Sequence, residues 1–259
     1  MLKELQETFK YRYVIYNYVY AGLKQKYRRS LLGFLWSIAT PLLQNLIIGT
    51  VFYYLMRFDM PNYIAYLFAG TVIFNIMSTV IMQSPSIMLV NEGFIKKIYV
   101  PKLVYVLQIV FIEIINFMFI VISLLLLAVV FKQLRFSFYY FLLPVPIILV
   151  VFFLIGIAII LSIATIYFRD MMHIVPVVMQ AAFFLTPVLY PQSIIPEPLK
   201  EVIKFNPFYY FVELFRNIIL YNQPPRMDYI ALCSGMASIM FVAGLFVLHK
   251  FDNKIVFKL

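Results

Sequence analysis

The stretch FYYFLLPVPIILVVFFLIGIAIILSIATIYF, from Phe138 to Phe168, contains no charged side chain. About 20 apolar residues in a helix suffice to cross the roughly 30 Å of a bilayer's hydrocarbon, and this run is longer than that. Five more runs of the same character flank it: Phe34 to Met56, Tyr63 to Met82, Leu103 to Phe131, Ile174 to Tyr190 and Tyr229 to Leu248. The run at Ile174 is short, while those at Leu103 and Phe138 are long enough to tilt or emerge. Pro144 and Pro146 predict a bent, interfacial turn where the fourth helix begins. The chain is 64% hydrophobic and 12% charged, about half the charge of an ordinary soluble domain, so 259 residues cannot hide this apolar surface in a water-facing fold. The expected fold is an all-α membrane protein with six transmembrane helices.

Six crossings place both termini on one side, and the basic residues choose the side. Of the 21 Lys and Arg, 14 lie in the N-terminal segment, the 83–102 loop, the 169–173 loop and the C-terminal tail. Positive charge stays on the cytoplasmic side, so both termini are expected there, with Lys132 and Arg135 as exceptions in a short outer loop. A five-span alternative, with the stretch after Ile174 lying as an interfacial hairpin, would put Lys250, Lys254 and Lys258 on the wrong side. The net charge of +10 sits at the edges of apolar runs and not on one soluble face, which speaks against nucleic acid as a partner. The first apolar run begins at Phe34 and lacks a small-residue cleavage pattern, so it reads as a retained span. Cys233 is the single cysteine, which excludes an intrachain disulfide.

Three segments are neither span nor simple loop. In residues 1–33, Leu2, Leu5, Phe9, Tyr13, Tyr16, Tyr20, Leu23 and Tyr27 recur every three or four positions, and Arg12 and Lys24 flank their stripe. This predicts an amphipathic helix lying in the cytoplasmic interface, either a plain anchor or a working part of a transport path. The inner loop from Asn91 to Lys102 contains Glu92, Gly93, Phe94, Ile95, Lys96, Lys97, Ile98, Tyr99 and Pro101. A short helix with apolar knobs there suits docking into a groove of a soluble partner, and an ordinary connector dipping into the interface suits the same spacing. From 191 to 227, Pro191, Pro196, Pro198, Pro207, Pro224 and Pro225 surround an amphipathic run from Phe208 to Tyr221. Proline limits such a region to short helices at the outer leaflet, which serve as a gate or as a packing lid.

Catalytic and metal-binding signatures are missing. His173 and His249 are isolated, and there is no HExxH, no Cys/His cluster, no GxSxG and no Gly-x-x-x-x-Gly-Lys-Ser/Thr loop. The expectation is a chain with no catalytic residues, no metal and no cofactor of its own. Glu113 is the one acid deep in a span, and so a functional candidate or a group near the cytoplasmic end of a long helix. Asn45, Asn75, Asn116 and Gln180 suit hydrogen bonds between helices. The 20 tyrosines serve interfacial belts and core packing, and their rings could also line a path for sugars. A membrane-embedded transferase would have only Asp170 with His173 to work with, and a secondary carrier would need more intramembrane charge.

Four ordered motifs resemble the transmembrane subunits of type-2 ABC exporters for cell-surface polysaccharides, the O-antigen and teichoic-acid export permeases. They are Tyr27-Arg28-Arg29-Ser30-Leu31-Leu32-Gly33-Phe34-Leu35-Trp36 with Pro41; the inner loop Glu92 to Pro101; Tyr167-Phe168-Arg169-Asp170 leading to Pro176 and Thr186-Pro187-Val188-Leu189-Tyr190; and Asn206-Pro207 with Glu213-Leu214-Phe215-Arg216. The inner loop reads Tyr-Val-Pro where a Phe-Pro pair is common. The resemblance implies a homodimer in the bacterial cytoplasmic membrane, in contact with membrane lipids, with two nucleotide-binding ATPase subunits that hold ATP and Mg. Its implied cargo is an undecaprenyl-diphosphate-linked polysaccharide. It makes Glu92 to Pro101 a coupling helix within a transmembrane domain of residues 34–259, and it makes 191–227 a gate-like outer segment. Arg28, Arg29, Ser30, Gly33 and Trp36 stand where a lipid diphosphate would enter, the arginines offering forked donors and Gly33 close backbone approach. Positive-inside anchoring would place basic residues there as well. Pro187, Tyr190, Asn206, Pro207 and Arg216 are the outer-gate candidates.

Overall fold

Long apolar runs in lipid must satisfy their backbone internally, and helices do so. The computed structural model describes residues 2–28, 32–33, 35–56, 63–130 and 137–259, and among them every regular element is helical. In chain order these are α1 (Leu2–Lys10), α2 (Arg12–Tyr27), α3 (Leu35–Met56), α4 (Tyr63–Gln83), α5 (Ile87–Val90), α6 (Glu92–Lys97), α7 (Leu103–Val130), α8 (Pro144–Tyr167), α9 (Met171–Leu185), α10 (Glu197–Lys204), α11 (Pro207–Ile219) and α12 (Met227–Lys258). Five of them, α3, α4, α7, α8 and α12, are long and apolar enough to cross a membrane. The expected span ends Phe34 and Phe131, and the loop with Lys132 and Arg135, lie outside the described residues.

Two elements differ from their expected form. The amphipathic segment is not one helix: Tyr11, at φ −88° and ψ 17°, separates α1 from α2. The fifth apolar run is helical only to Leu185, because Thr186 turns extended ahead of Pro187, whose ring disfavours a helical residue before it. At 15 residues α9 reaches about 22 Å, short of the roughly 30 Å a lone span needs. The fourth run begins as anticipated from its prolines, with a 3-10 turn over Phe138–Leu142 and Pro144 opening α8.

Helix α8 packs along α12, and the pairing shows their directions. Phe152 meets Phe241 edge to face and Tyr167 meets Phe251, so the two helices run parallel. Gly156 and Gly244 mark the crossing: a Cβ on Gly244 would lie 2.6 Å from the Gly156 carbonyl oxygen, and one on Gly156 would strike the Met240 backbone. Lipid tails are as apolar as side chains, so close backbone approach of this kind drives helix association in a bilayer.

Contacts between distant segments identify the two ends of the bundle. His249 Nδ1 lies 2.7 Å from Glu4 Oε1, Lys102 Nζ lies 2.8 Å from Asp252 Oδ1, and Tyr99 Oη donates to Glu7 at 3.0 Å. Helix α1, the loop before α7 and the last turns of α12 thus share one end, called here the termini end. Tyr63 Oη donates to the Leu189 carbonyl and Tyr140 Oη to that of Ile219, which gathers the starts of α4 and α8 with α11 at the far end. Because α8 and α12 are parallel, the chain between them returns from the termini end to the far end through α9 and the turn at residues 186–190.

Candidate functional sites at the two ends of the bundle

At the termini end, α2 lies against α7. Gly22 allows this, since a Cβ there would lie 2.5 Å from Ile112 Cδ1. Phe9, Tyr13, Tyr16 and Tyr20 face outward, and the Tyr16 and Tyr20 rings stack with centroids 6.5 Å apart. These four rings therefore point away from the bundle, while Tyr18 and Gly22 face α7. Tyr27 Oη donates to Asn116 Oδ1 at 2.6 Å, and Asn116 Nδ2 donates to Glu113 Oε2 at 3.1 Å. Lys26 Nζ and Gln83 Nε2 each approach Glu113 Oε1 at 3.4 Å. The acid that the sequence places within the third apolar run is thus reached by Lys26 of α2, whose side chain is 46% exposed.

Arg28 follows directly, exposed, as the residue that ends α2 in an extended conformation. Arg29 and Ser30 lie outside the described residues. Gly33 adopts φ +52°, the left-handed region, with nothing within 4 Å of a Cβ placed on it. The turn into α3 therefore requires glycine for its backbone angle and not for close approach. Trp36 stands half-exposed in the first turn of α3.

In the loop between α4 and α7, the Asn91 carbonyl accepts from the N–H groups of Phe94 and Ile95, and Lys96 pairs with Glu92 at 2.6 Å. Ile95 and Pro101 are buried, whereas Phe94 is 54% exposed, Ile98 59% and Tyr99 65%. Gly93 faces open space, and Lys97 is exposed beside it. Tyr99 ties this exposed knob to α1, donating to Glu7 while its carbonyl accepts from Tyr11 Oη at 3.4 Å. The Glu7 bond raises the Tyr99 hydroxyl's pKa above its ordinary value, and partial burial acts in the same direction.

At the far end, residues 186–190 form a turn and a bend beyond α9, and their carbonyls from Pro187 to Tyr190 have no helical donors. Irregular backbone at membrane depth is tolerated only where protein satisfies it. Here side chains do so. Arg216 donates through NH1 to the Pro187 carbonyl at 2.8 Å and through NH2 to that of Val188 at 3.1 Å; Tyr63 serves Leu189; Tyr66 Oη lies 3.0 Å from the carbonyls of both Pro187 and Tyr190. Arg216 is fully buried, 2.9 Å from Glu213 Oε1 and 3.6 Å from the centroid of the Tyr66 ring, with its Tyr66 Oη contact also 2.9 Å. Gly70 makes room, since any Cβ there would collide with the guanidinium. Asn206 caps α11 by accepting from the Phe208 N–H at 3.0 Å and donates to Thr186 Oγ1 at 2.8 Å, and Pro207 opens the helix.

Pro187, Tyr190, Asn206, Pro207 and Arg216, chosen as separate motifs, are thus gathered into one cluster. Sequence reasoning missed Tyr63, Tyr66 and Gly70, which complete it; the only available signal was their placement on α4, with Tyr66 and Gly70 one turn apart. Asp170 and His173, the pair a transferase would use, are both exposed, and only a backbone bond from the His173 N–H to the Asp170 carbonyl joins them among the described residues. Asn45 donates to the Pro41 carbonyl and accepts from Thr71 Oγ1, joining α3 to α4, whereas Asn75 and Gln180 are exposed.

Residues 14–220 match the family described as ABC-2 type transporter. An O-antigen export system permease protein of Klebsiella pneumoniae is 30% identical over 237 residues, covering 88% of each chain. One of Myxococcus xanthus is 26% identical over 94% of each chain. A polysialic acid transport protein of Escherichia coli is 24% identical over 81% of this chain and 83% of its own.

Proposed function

The chain belongs to the ABC-2 type transporter family as a membrane subunit without an ATPase domain, and from this we propose that it forms the conduit of an exporter for an undecaprenyl-diphosphate-linked polysaccharide of the O-antigen kind. It works as a homodimer with two separate ATPase subunits, which bind ATP and Mg. The polysaccharide class comes from the named relatives. The chain crosses the cytoplasmic membrane six times with its termini inside. The contacts that join α1 to α12, the parallel course of α8 and α12, and the basic termini end support that topology. The fifth crossing is built on α9, which supplies about 22 Å, continued by the turn and bend of residues 186–190.

The observation that carries the mechanism is the exposed α6 knob bonded through Tyr99 to the interfacial helix. Phe94, Ile98 and Tyr99 dock in a groove of the ATPase subunit, with Lys96 and Lys97 at the rim. Closure of the ATPases on ATP pushes this knob, and the Tyr99–Glu7 bond passes the displacement to α1 and α2. Arg28, which ends α2, and Arg29, next to it in the sequence, supply the forked donors that hold the lipid diphosphate. Bilayer-spanning motion is then a bias between two arrangements, set by the difference in ATPase contact between them. At the outer side the Arg216 cluster fixes the turn after α9 that forms the gate.

Two variant sets test this in reconstituted vesicles. Phe94→Asp with Ile98→Asp should abolish co-purification of the ATPase subunit while the chain still inserts. Arg28→Gln with Arg29→Gln should leave assembly and ATP hydrolysis in place and stop glycan export. Undiminished export in the arginine pair would overturn the diphosphate site, and retained co-purification in the first set would overturn the docking site.

A further inference from the structure

Beneath α1 and α2 lies a cleft of about 580 Å³, within the roughly 300–1,000 Å³ typical of small-molecule sites. Leu5 and Val19 form its roof, and Leu107, Phe111, Ile115 and Phe152 its wall on the spanning helices. Besides the Tyr16 hydroxyl, two polar side chains border it. Thr8 Oγ1 is already committed to the Glu4 carbonyl at 2.7 Å. The other is Arg12, exposed, whose guanidinium lies 5.3 Å from the Phe9 ring centroid and 4.9 Å from that of Tyr13. Among the described residues no carboxylate pairs with it. Aromatic faces attract a cation but leave its charge in place, so Arg12 still calls for an anion.

Phe111 and Phe152 are partly exposed on helices that cross the bilayer, so the cleft opens sideways into acyl chains. Its ligand must be apolar along its length and anionic at one end, at the depth of an interfacial helix. We propose that the cleft holds one acyl chain of an anionic phospholipid whose headgroup phosphate pairs with Arg12. The seated lipid fills the space that protein atoms leave between α2 and α7, and it fixes the angle at which the interfacial helix lies. The site is separate from the diphosphate site proposed above: Arg12 and Arg28 stand at opposite ends of α2, about 24 Å apart at 1.5 Å per residue.

The test uses the purified full chain in nanodiscs of phosphatidylcholine doped with phosphatidylglycerol that carries a diazirine midway along one acyl chain. After photolysis, adducts should concentrate on peptides holding residues 103–115 and 152–155, several-fold above those on the outward residues Ile239, Val242 and Phe246 of α12. Unlabelled phosphatidylglycerol should compete, and extra phosphatidylcholine should not. Arg12→Gln should reduce the labelling to the level of α12, and Arg28→Gln should leave it unchanged. Ile115→Trp, which narrows the cleft with Arg12 intact, should reduce it as well and serves if the Arg12 variant fails to fold. Even labelling of all bilayer-facing helices, equal labelling by a phosphatidylcholine probe, or displacement by a polyprenyl diphosphate but not by phosphatidylglycerol would each overturn the proposal.

Discussion

The polar clusters at the two ends of the bundle are built to opposite standards. Around Arg216 the charge is fully buried, its partner Glu213 is 2.9 Å away, and a tyrosine face and several carbonyls surround it. Around Glu113 the two longest contacts are 3.4 Å, and Lys26 keeps nearly half its side chain exposed. A sealed pair holds one geometry, because losing either partner strands a charge in a low-dielectric interior. A half-open pair exchanges partners with water and headgroups at little expense. The far end is therefore the tightly fixed part of the described fold, and α2 at the termini end is held more loosely.

The contrast can be broken from its strong side first. Arg216→Leu should destabilise by about 3–5 kcal/mol, since Glu213 is left buried and unpaired. Thermal unfolding in detergent should show a large drop, and much of it should be recovered when Glu213→Leu is added. Gly70→Leu attacks the same cluster sterically, because the guanidinium it would displace is held on several sides. The expected loss is about 1–3 kcal/mol by the same assay, with Gly93→Leu as the neutral comparison. On the loose side, Tyr27→Phe should cost about 1 kcal/mol for one lost bond to Asn116, with export falling more than stability because α2 loses its register on α7. Lys26→Gln should be smallest, under about 1 kcal/mol, because Gln83 and Asn116 still reach Glu113 once this half-exposed partner is lost. A Lys26 variant as damaging as the Arg216 one would collapse the distinction between the tightly and the loosely held ends.

Five long apolar helices were legible in the sequence because charge-free runs of that length have few other solutions, as Phe138 to Phe168 illustrates. The break at Tyr11 was not, since the aromatic stripe keeps its spacing through the kink. The α9 helix ended early for a reason visible at Pro187, but what satisfies the carbonyls of the turn after it was hidden. Tyr66 and Arg216 are 150 positions apart, and no local pattern couples them. Glu213 and Arg216 could be paired from their spacing of three on a helix. Asn116 and Glu113 were legible as in-span polar groups, whereas their partners Tyr27 and Lys26 lay on what the sequence presented as an anchor.

The glycine crossing of α8 and α12 has a consequence for the substitutions the chain can accept. A Cβ at Gly156 or Gly244 would meet main-chain atoms, and a main chain cannot rotate out of the way as a side chain can. In a saturation scan, these two positions should tolerate a single residue type, while exposed Ile239 and Phe246 on the same helix tolerate many. Neither glycine can change alone and be rescued by trimming a neighbour's side chain, so lineages of this protein would have to keep both or shift the two helices apart together.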